Sequence, residues 1–132
     1  MSTAVATPHS VAANRAVWTV QILLGVFLVV ASAGPKFFGE ATAVDMFLRI
    51  GLGEWFRYFV GALELLGGVG LLVRRFSGLA ALGLVGLMIG AAYTQAFVLH
   101  GGALVVTPIV IGLLCALIAY ARRDDVRALL RR

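Results

Sequence analysis

A carboxylate inside an apolar run is the group in this chain best placed to do chemistry. Glu64 stands near the middle of residues 55–73, where the only other charge is Arg57 near the start. An acid at the centre of an inserted helix costs roughly 2.5–3.5 kcal/mol, so it must face protein or water and not lipid. Lys36 and Arg57 are the cations best placed to pair with it. Its neighbours in function would be Gln21, Tyr93, Gln95 and His100, the polar side chains inside or beside the other apolar runs. Tyr93 and Gln95 do not share a helix face, so both cannot line one narrow pocket without a broad interface. His100 precedes Gly101 and Gly102 and reads as a turn residue.

Two kinds of role remain open for Glu64. It is either a satisfied interior group that fixes helix register, or a proton-relay or ligand-contacting group, for instance against a quinone headgroup. Other chemistries fall away. His9 lies in the N-terminal tail, which leaves only His100 near a span and excludes a bis-histidine haem within one chain. No His, Cys and carboxylate set has metal-ligand spacing, so no metal is expected. Gly67-Gly68-Val69-Gly70 lies inside an apolar run, not between a strand and a helix, and reads as packing and not as a phosphate loop. Cys115 is the single cysteine; it cannot form an intrachain disulfide and reads as a small buried apolar residue.

The elements that must position these residues follow from composition. Of 132 residues, 61% are hydrophobic and 13% charged, with a mean hydropathy of +1.01. Four runs, at 16–34, 55–73, 76–99 and 103–121, approach the roughly 20 residues that cross a bilayer core. The net charge of +5 is spread between the runs and not along a soluble face, so it calls for anionic lipid and not for nucleic acid. With the N-terminus inside, eight cations lie on the cytoplasmic side (Arg15, Arg74, Arg75, Arg122, Arg123, Arg127, Arg131, Arg132) against three outside. That asymmetry predicts both termini in the cytoplasm. Abundant arginine, alanine and glycine suggest a bacterial plasma membrane.

On a helical wheel, Arg57, Val60, Gly61, Glu64, Gly67, Gly68 and Leu71 share one face. Glu64 therefore sits in a glycine-lined seam, and Gly61, Gly67, Gly68 and the pair Gly86 and Gly90 are expected to mark close helix contacts. Counting from the span ends makes the outer half the polar one, which predicts a small outward-opening vestibule with Glu64 at its floor. Residues 37–54 predict a short interfacial helix, with Thr42 and Asp45 as a capping box and an end near Gly51. Trp55, Phe56, Tyr58 and Phe59 form an aromatic belt. Thr107 either caps a helix starting at Pro108, or that proline kinks a longer one. Arg15, the first run and Ala31-Ser32-Ala33 also have the ingredients of a cleavable secretion signal, which the uncharged leader and the length of the run argue against. The organisation is a loose tail over 1–15, a transmembrane domain over 16–121 and a basic tail over 122–132. The expected fold is all-α, an integral membrane antiparallel four-helix bundle with the interfacial helix between helices 1 and 2.

Gln21 and Phe27, Gly34-Pro35-Lys36-Phe37, Gly61-Ala62-Leu63-Glu64-Leu65-Leu66-Gly67-Gly68, Gly78-Leu79-Ala80-Ala81 and Met88 occur in that order. Together they resemble the DoxX-like family of small four-helix membrane proteins, over most of the chain from Trp18 to about Tyr120. The resemblance implies a membrane subunit or quinone-associated component of an oxidoreductase or redox-homeostasis complex. Relatives are similar to the membrane subunit of a thiosulfate:quinone oxidoreductase, and distant animal relatives act as receptor-assembly chaperones, which makes a non-enzymatic scaffold the alternative. The family's recurrent Lys and Glu correspond to Lys36 and Glu64. No covalently bound cofactor is implied, and a quinone, a partner subunit or a second copy of the chain would be the partners besides lipid. The lack of a cysteine pair argues against electron transfer by the polypeptide itself.

Overall fold

The computed structural model describes the backbone of residues 8–131 and the side chains of 11–131. Met1–Thr7, the first part of the expected tail, lie outside the described residues. All elements among the described residues are helical: α1 (Pro8–Val26), α2 (Gly34–Phe38), α3 (Ala41–Ile50), α4 (Glu54–Leu72), α5 (Ser77–Tyr93), α6 (Val106–Ala121) and α7 (Arg123–Leu130). Four continuous helical stretches, Val11–Phe38, Glu54–Leu72, Arg74–Val98 and Gly102–Ala121, are long and apolar enough to cross a membrane. Helix α1 begins at Pro8 and not near Arg15, so the tail expected over 1–15 is already helical at residues 8–15. Proline suits a first helical position, and no glycine or second proline occurs between it and Gly25.

Two of the spanning stretches widen into π-helix. Between α1 and α2 the π segment is Phe27–Ala33, and after α5 it is Thr94–Val98. Pro35 explains the first. In an α-helix its ring would clash with the carbonyl four residues back, and it has no N–H to give. The chain relaxes to wider bonding, and the Gly34 N–H goes to the Val29 carbonyl. In the second, the Leu99 N–H reaches the Thr94 carbonyl, and the Thr94 hydroxyl donates to the Gly90 carbonyl at 2.8 Å.

Helix α3 starts differently from expectation. Its N-cap is Glu40, whose carboxylate accepts from the Thr42 and Ala43 N–H groups at 3.0 and 3.1 Å, so Thr42 and Asp45 form no capping box. These two bonds hold the Glu40 carboxyl below its ordinary value. Gly51 ends the helix at φ 82°, where glycine adopts the left-handed backbone without strain. Helix α6 begins at Val106 after a 3-10 turn, with no side-chain cap from Thr107. Pro108 falls in its first turn, where backbone N–H groups have no intrahelical partner, so the proline neither starts nor kinks the helix.

The core lies where α1, α4, α5 and α6 meet, with Leu24, Leu28, Leu71, Leu84, Cys115 and Ile118 at its centre. Glycines set the approach of α1 to α4: a Cβ on Gly68 would lie 2.9 Å from the Gly25 carbonyl oxygen. A Cβ on Gly67 would meet Leu84 at 2.5 Å, and one on Gly70 would meet Ala80 at 2.6 Å. The outward faces keep large apolar side chains such as Leu23, Val30, Leu66, Ile89, Leu113 and Leu117, as lipid contact requires.

Candidate functional site

Helix α4 turns one face inward, and Arg57, Gly61, Glu64, Gly67, Gly68 and Leu71 are buried along it. Glu64 is only 5% exposed. Its Oε1 pairs with Lys36 Nζ at 2.8 Å, and its Oε2 accepts from the Ser32 hydroxyl at 2.6 Å. The Lys36 ammonium also donates to the Ser32 carbonyl at 3.0 Å and lies 5.9 Å from the centre of the Phe47 ring. Two local features bring these groups together. Ser32 continues the inward face of Gln21, Leu24 and Leu28 four residues before Lys36, and Gly61 lets the lysine stem approach, since a Cβ there would meet Lys36 Cβ at 3.2 Å.

Arg57 takes the other position. Its guanidinium donates to the Lys36 backbone carbonyl and to Glu54 Oε1, the latter at 2.9 Å, and lies 4.5 Å from the Tyr58 ring. It therefore caps the last turn of α2 and holds the lysine's backbone, leaving the ammonium to Glu64.

Beside the pair lies a cavity of about 480 Å³. Lys36, Glu64 and Ser32 lie in its wall, with Met46, Phe47 and Ile50 from α3, Phe56 and Val60 from α4, Gly86, Met88 and Gly90 from α5, and Thr107, Pro108 and Ile111 from α6. The second π segment adds Thr94 and Gln95. Both π segments thus bring polar side chains to one cavity, a use in which π bulges recur at functional sites. Helix α3 is tied across it: Arg49 donates to the Leu99 carbonyl at 2.9 Å, and Gln95 Nε2 lies 3.7 Å from Met46 Sδ.

The remaining sequence candidates lie elsewhere. Tyr93 is 62% exposed and packs on Phe97. His100 occupies the turn at φ 50°, away from the cavity wall. Gly86 and Gly90, expected to pack against a neighbouring helix, do not: a Cβ on either would meet nothing within 4 Å, and both line the cavity. The close contacts fall at Gly67 and Gly68 and, beyond the sequence candidates, at Gly25, Gly70 and Gly78. A GxxxG spacing fixes which residues share a face and leaves open what that face meets.

Gln21 belongs to a second polar cluster at the Leu71 end of α4. It is fully buried, donates to the Leu71 carbonyl at 2.8 Å and accepts from Arg122 Nε at 2.8 Å. Arg122 also donates to Asn14 Oδ1 at 2.8 Å and lies 5.5 Å from the Trp18 ring. Burial and, less strongly, the nearby Arg74 push the Arg122 guanidinium below its ordinary value, against a smaller opposing pull from Asp125. Read from the sequence as a surface cation of the tail, Arg122 is buried, because α7 folds back: Val126 and the Arg122 backbone pack on Gly78. No motif in the sequence pointed to this pairing.

A model of the DoxX-like family matches residues 19–118. The chain belongs to that family. No curated protein and no solved structure matches it. Membership and the four apolar helices make it a multi-pass membrane protein. The DoxX-like match takes in every residue of the cavity wall, from Ser32 to Ile111, and the Lys36–Glu64 pair. It stops short of Asn14, Trp18 and Arg122, so the second cluster lies only partly within the DoxX-like region.

Proposed function

We propose that this DoxX-like protein binds a quinone-type ring in the cavity beside Lys36 and Glu64, as the quinone-associated membrane component of an oxidoreductase or redox-homeostasis complex. The observation that carries this reading is a mostly apolar cavity of about 480 Å³ with a largely buried ion pair and four uncharged polar side chains, Ser32, Thr94, Gln95 and Thr107, in its wall. Small-molecule sites have volumes of about 300–1,000 Å³, mostly apolar lining and a few placed polar groups. A lysine ammonium has three donors. Here Glu64 and the Ser32 carbonyl take two, and among the described residues the third has no partner, which suits a carbonyl oxygen of the ring. Phe47, Phe56, Met46 and Met88 offer polarisable surface to its faces. Gln95 and Thr107 would meet its far side.

In this reading the four spans form an antiparallel bundle in the bacterial plasma membrane. The order of contacts supports that: Gly25 meets Gly68 and Gly61 meets Lys36, while Gly67 meets Leu84 and Gly70 meets Ala80. Helix α3 is the interfacial helix on the outer side, and both termini are cytoplasmic. A scaffold role drew on the glycines as partner-facing seams, but Gly61 and Gly68 are used in internal packing and Gly86 and Gly90 face the cavity.

The test is saturable binding of a tail-less benzoquinone to the purified protein in nanodiscs. Wild type should bind, and the double variant Lys36→Met/Glu64→Gln, which leaves no buried charge unpaired, should bind about ten- to a hundredfold more weakly, as loss of a charge-assisted hydrogen bond predicts. Wild-type protein without saturable binding, or a double variant that binds as well, would overturn the reading.

A further inference from the structure

Next to the cavity, and sharing Leu87 with it, a second hollow of about 470 Å³ runs along the seam of α4 and α5. No hydroxyl, amide or charged side chain lines it. On α4 it extends from Leu63 to Val73, about 15 Å at the helical rise. It is a furrow open on its outer side, since Leu63, Val69, Phe76 and Leu79 in its wall are 37–47% exposed, and a hydrocarbon chain can lie along it from the bilayer. Packing accounts for Gly67 and Gly70 in its wall, where a Cβ would collide with Leu84 or Ala80. It does not account for Gly83, since a Cβ there would meet nothing within 4 Å. One end of the hollow therefore adjoins a cavity holding an ion pair, and the other runs toward Val73 and Phe76, with only apolar surface between.

We propose that cavity and hollow form one site for a lipid with a single long hydrocarbon chain, its acceptor-bearing head beside Lys36 and its chain passing Leu87 along the α4–α5 seam. The proposal rests on the ring-binding reading above and adds the ligand's other half. A chain moving from bilayer to hollow gains no hydrophobic free energy, because lipid tails are as apolar as leucine. Its contribution is packing in a preformed lane, and that packing is what a filled lane would remove.

The experiment compares two probes in nanodiscs, a tail-less benzoquinone and the same ring carrying a decyl chain, on wild type and Gly83→Leu. Comparing variants for one probe cancels its partition into the bilayer. Gly83→Leu should weaken the decyl probe about tenfold and leave the tail-less ring unchanged. Leu66→Trp narrows the lane from α4 at a position 70% exposed, and carries the test if the first variant does not fold. An unchanged decyl affinity in a folded variant, or equal weakening of both probes, would overturn the chain site while leaving ring binding intact. Failure of both probes to bind wild type would remove the ring-binding reading and this one with it.

Discussion

Removing the Lys36 ammonium would leave Glu64 buried with its charge uncompensated, its remaining partner the Ser32 hydroxyl. Breaking one side of a buried ion pair costs about 3–5 kcal/mol, while replacing both sides can be close to neutral. Lys36→Met is therefore expected to destabilise the protein far more than the double variant Lys36→Met/Glu64→Gln. Reversible unfolding in mixed micelles measures this, and single-variant costs that simply add would show that the two groups do not act as a pair. At this scale much was legible in the sequence. A carboxylate in an apolar run needs a partner, and the period of 3.6 placed it on a buried face with Arg57, Gly61 and Leu71. From the residues alone the choice between Lys36 and Arg57 stayed open, and only the family resemblance matched Lys36 with Glu64. It depends on Gly61, which admits the lysine stem, and on the Lys36 carbonyl, which takes the arginine.

Glycine means different things on adjacent helices. On α4, Gly68→Ala would force its Cβ to within 2.9 Å of the Gly25 carbonyl and Val29 Cγ2, an overpacking that costs about 1–3 kcal/mol. On α5, Gly86→Ala enters open space and should be neutral or stabilise by up to about 1 kcal/mol through the unfolded chain. The same unfolding assay separates them, and comparable losses from both would contradict the placement of Gly86 on the cavity wall. The spans themselves were legible because bilayer crossing demands length and apolarity, which any window of sequence displays. The π segments were not. A helical wheel assumes an unbroken period and does not show where it widens, although Thr94 and Gln95 follow Leu87 and Ala91 at the spacing of one face.

For the whole molecule, the uneven distribution of arginine sets the expected orientation. A cysteine replacing Arg127 should react with a membrane-impermeant maleimide only when the cytoplasmic side is open, and one replacing Leu48 on α3 should react from outside. Cys115 is fully buried and need not be removed. Labelling of both positions from one side would refute an outer α3 and a cytoplasmic C-terminus. Beyond orientation, the join between Gln21 and Arg122 links residues 101 positions apart, which no local pattern reveals. It also sets an order on biogenesis. The Leu71 carbonyl becomes available to Gln21 once the second span is made, but the glutamine's oxygen must wait for Arg122, which lies just past the fourth span. Until then the nascent protein carries an unmatched amide oxygen in its first helix, a chemical mark of incomplete assembly that pairing with Arg122 erases.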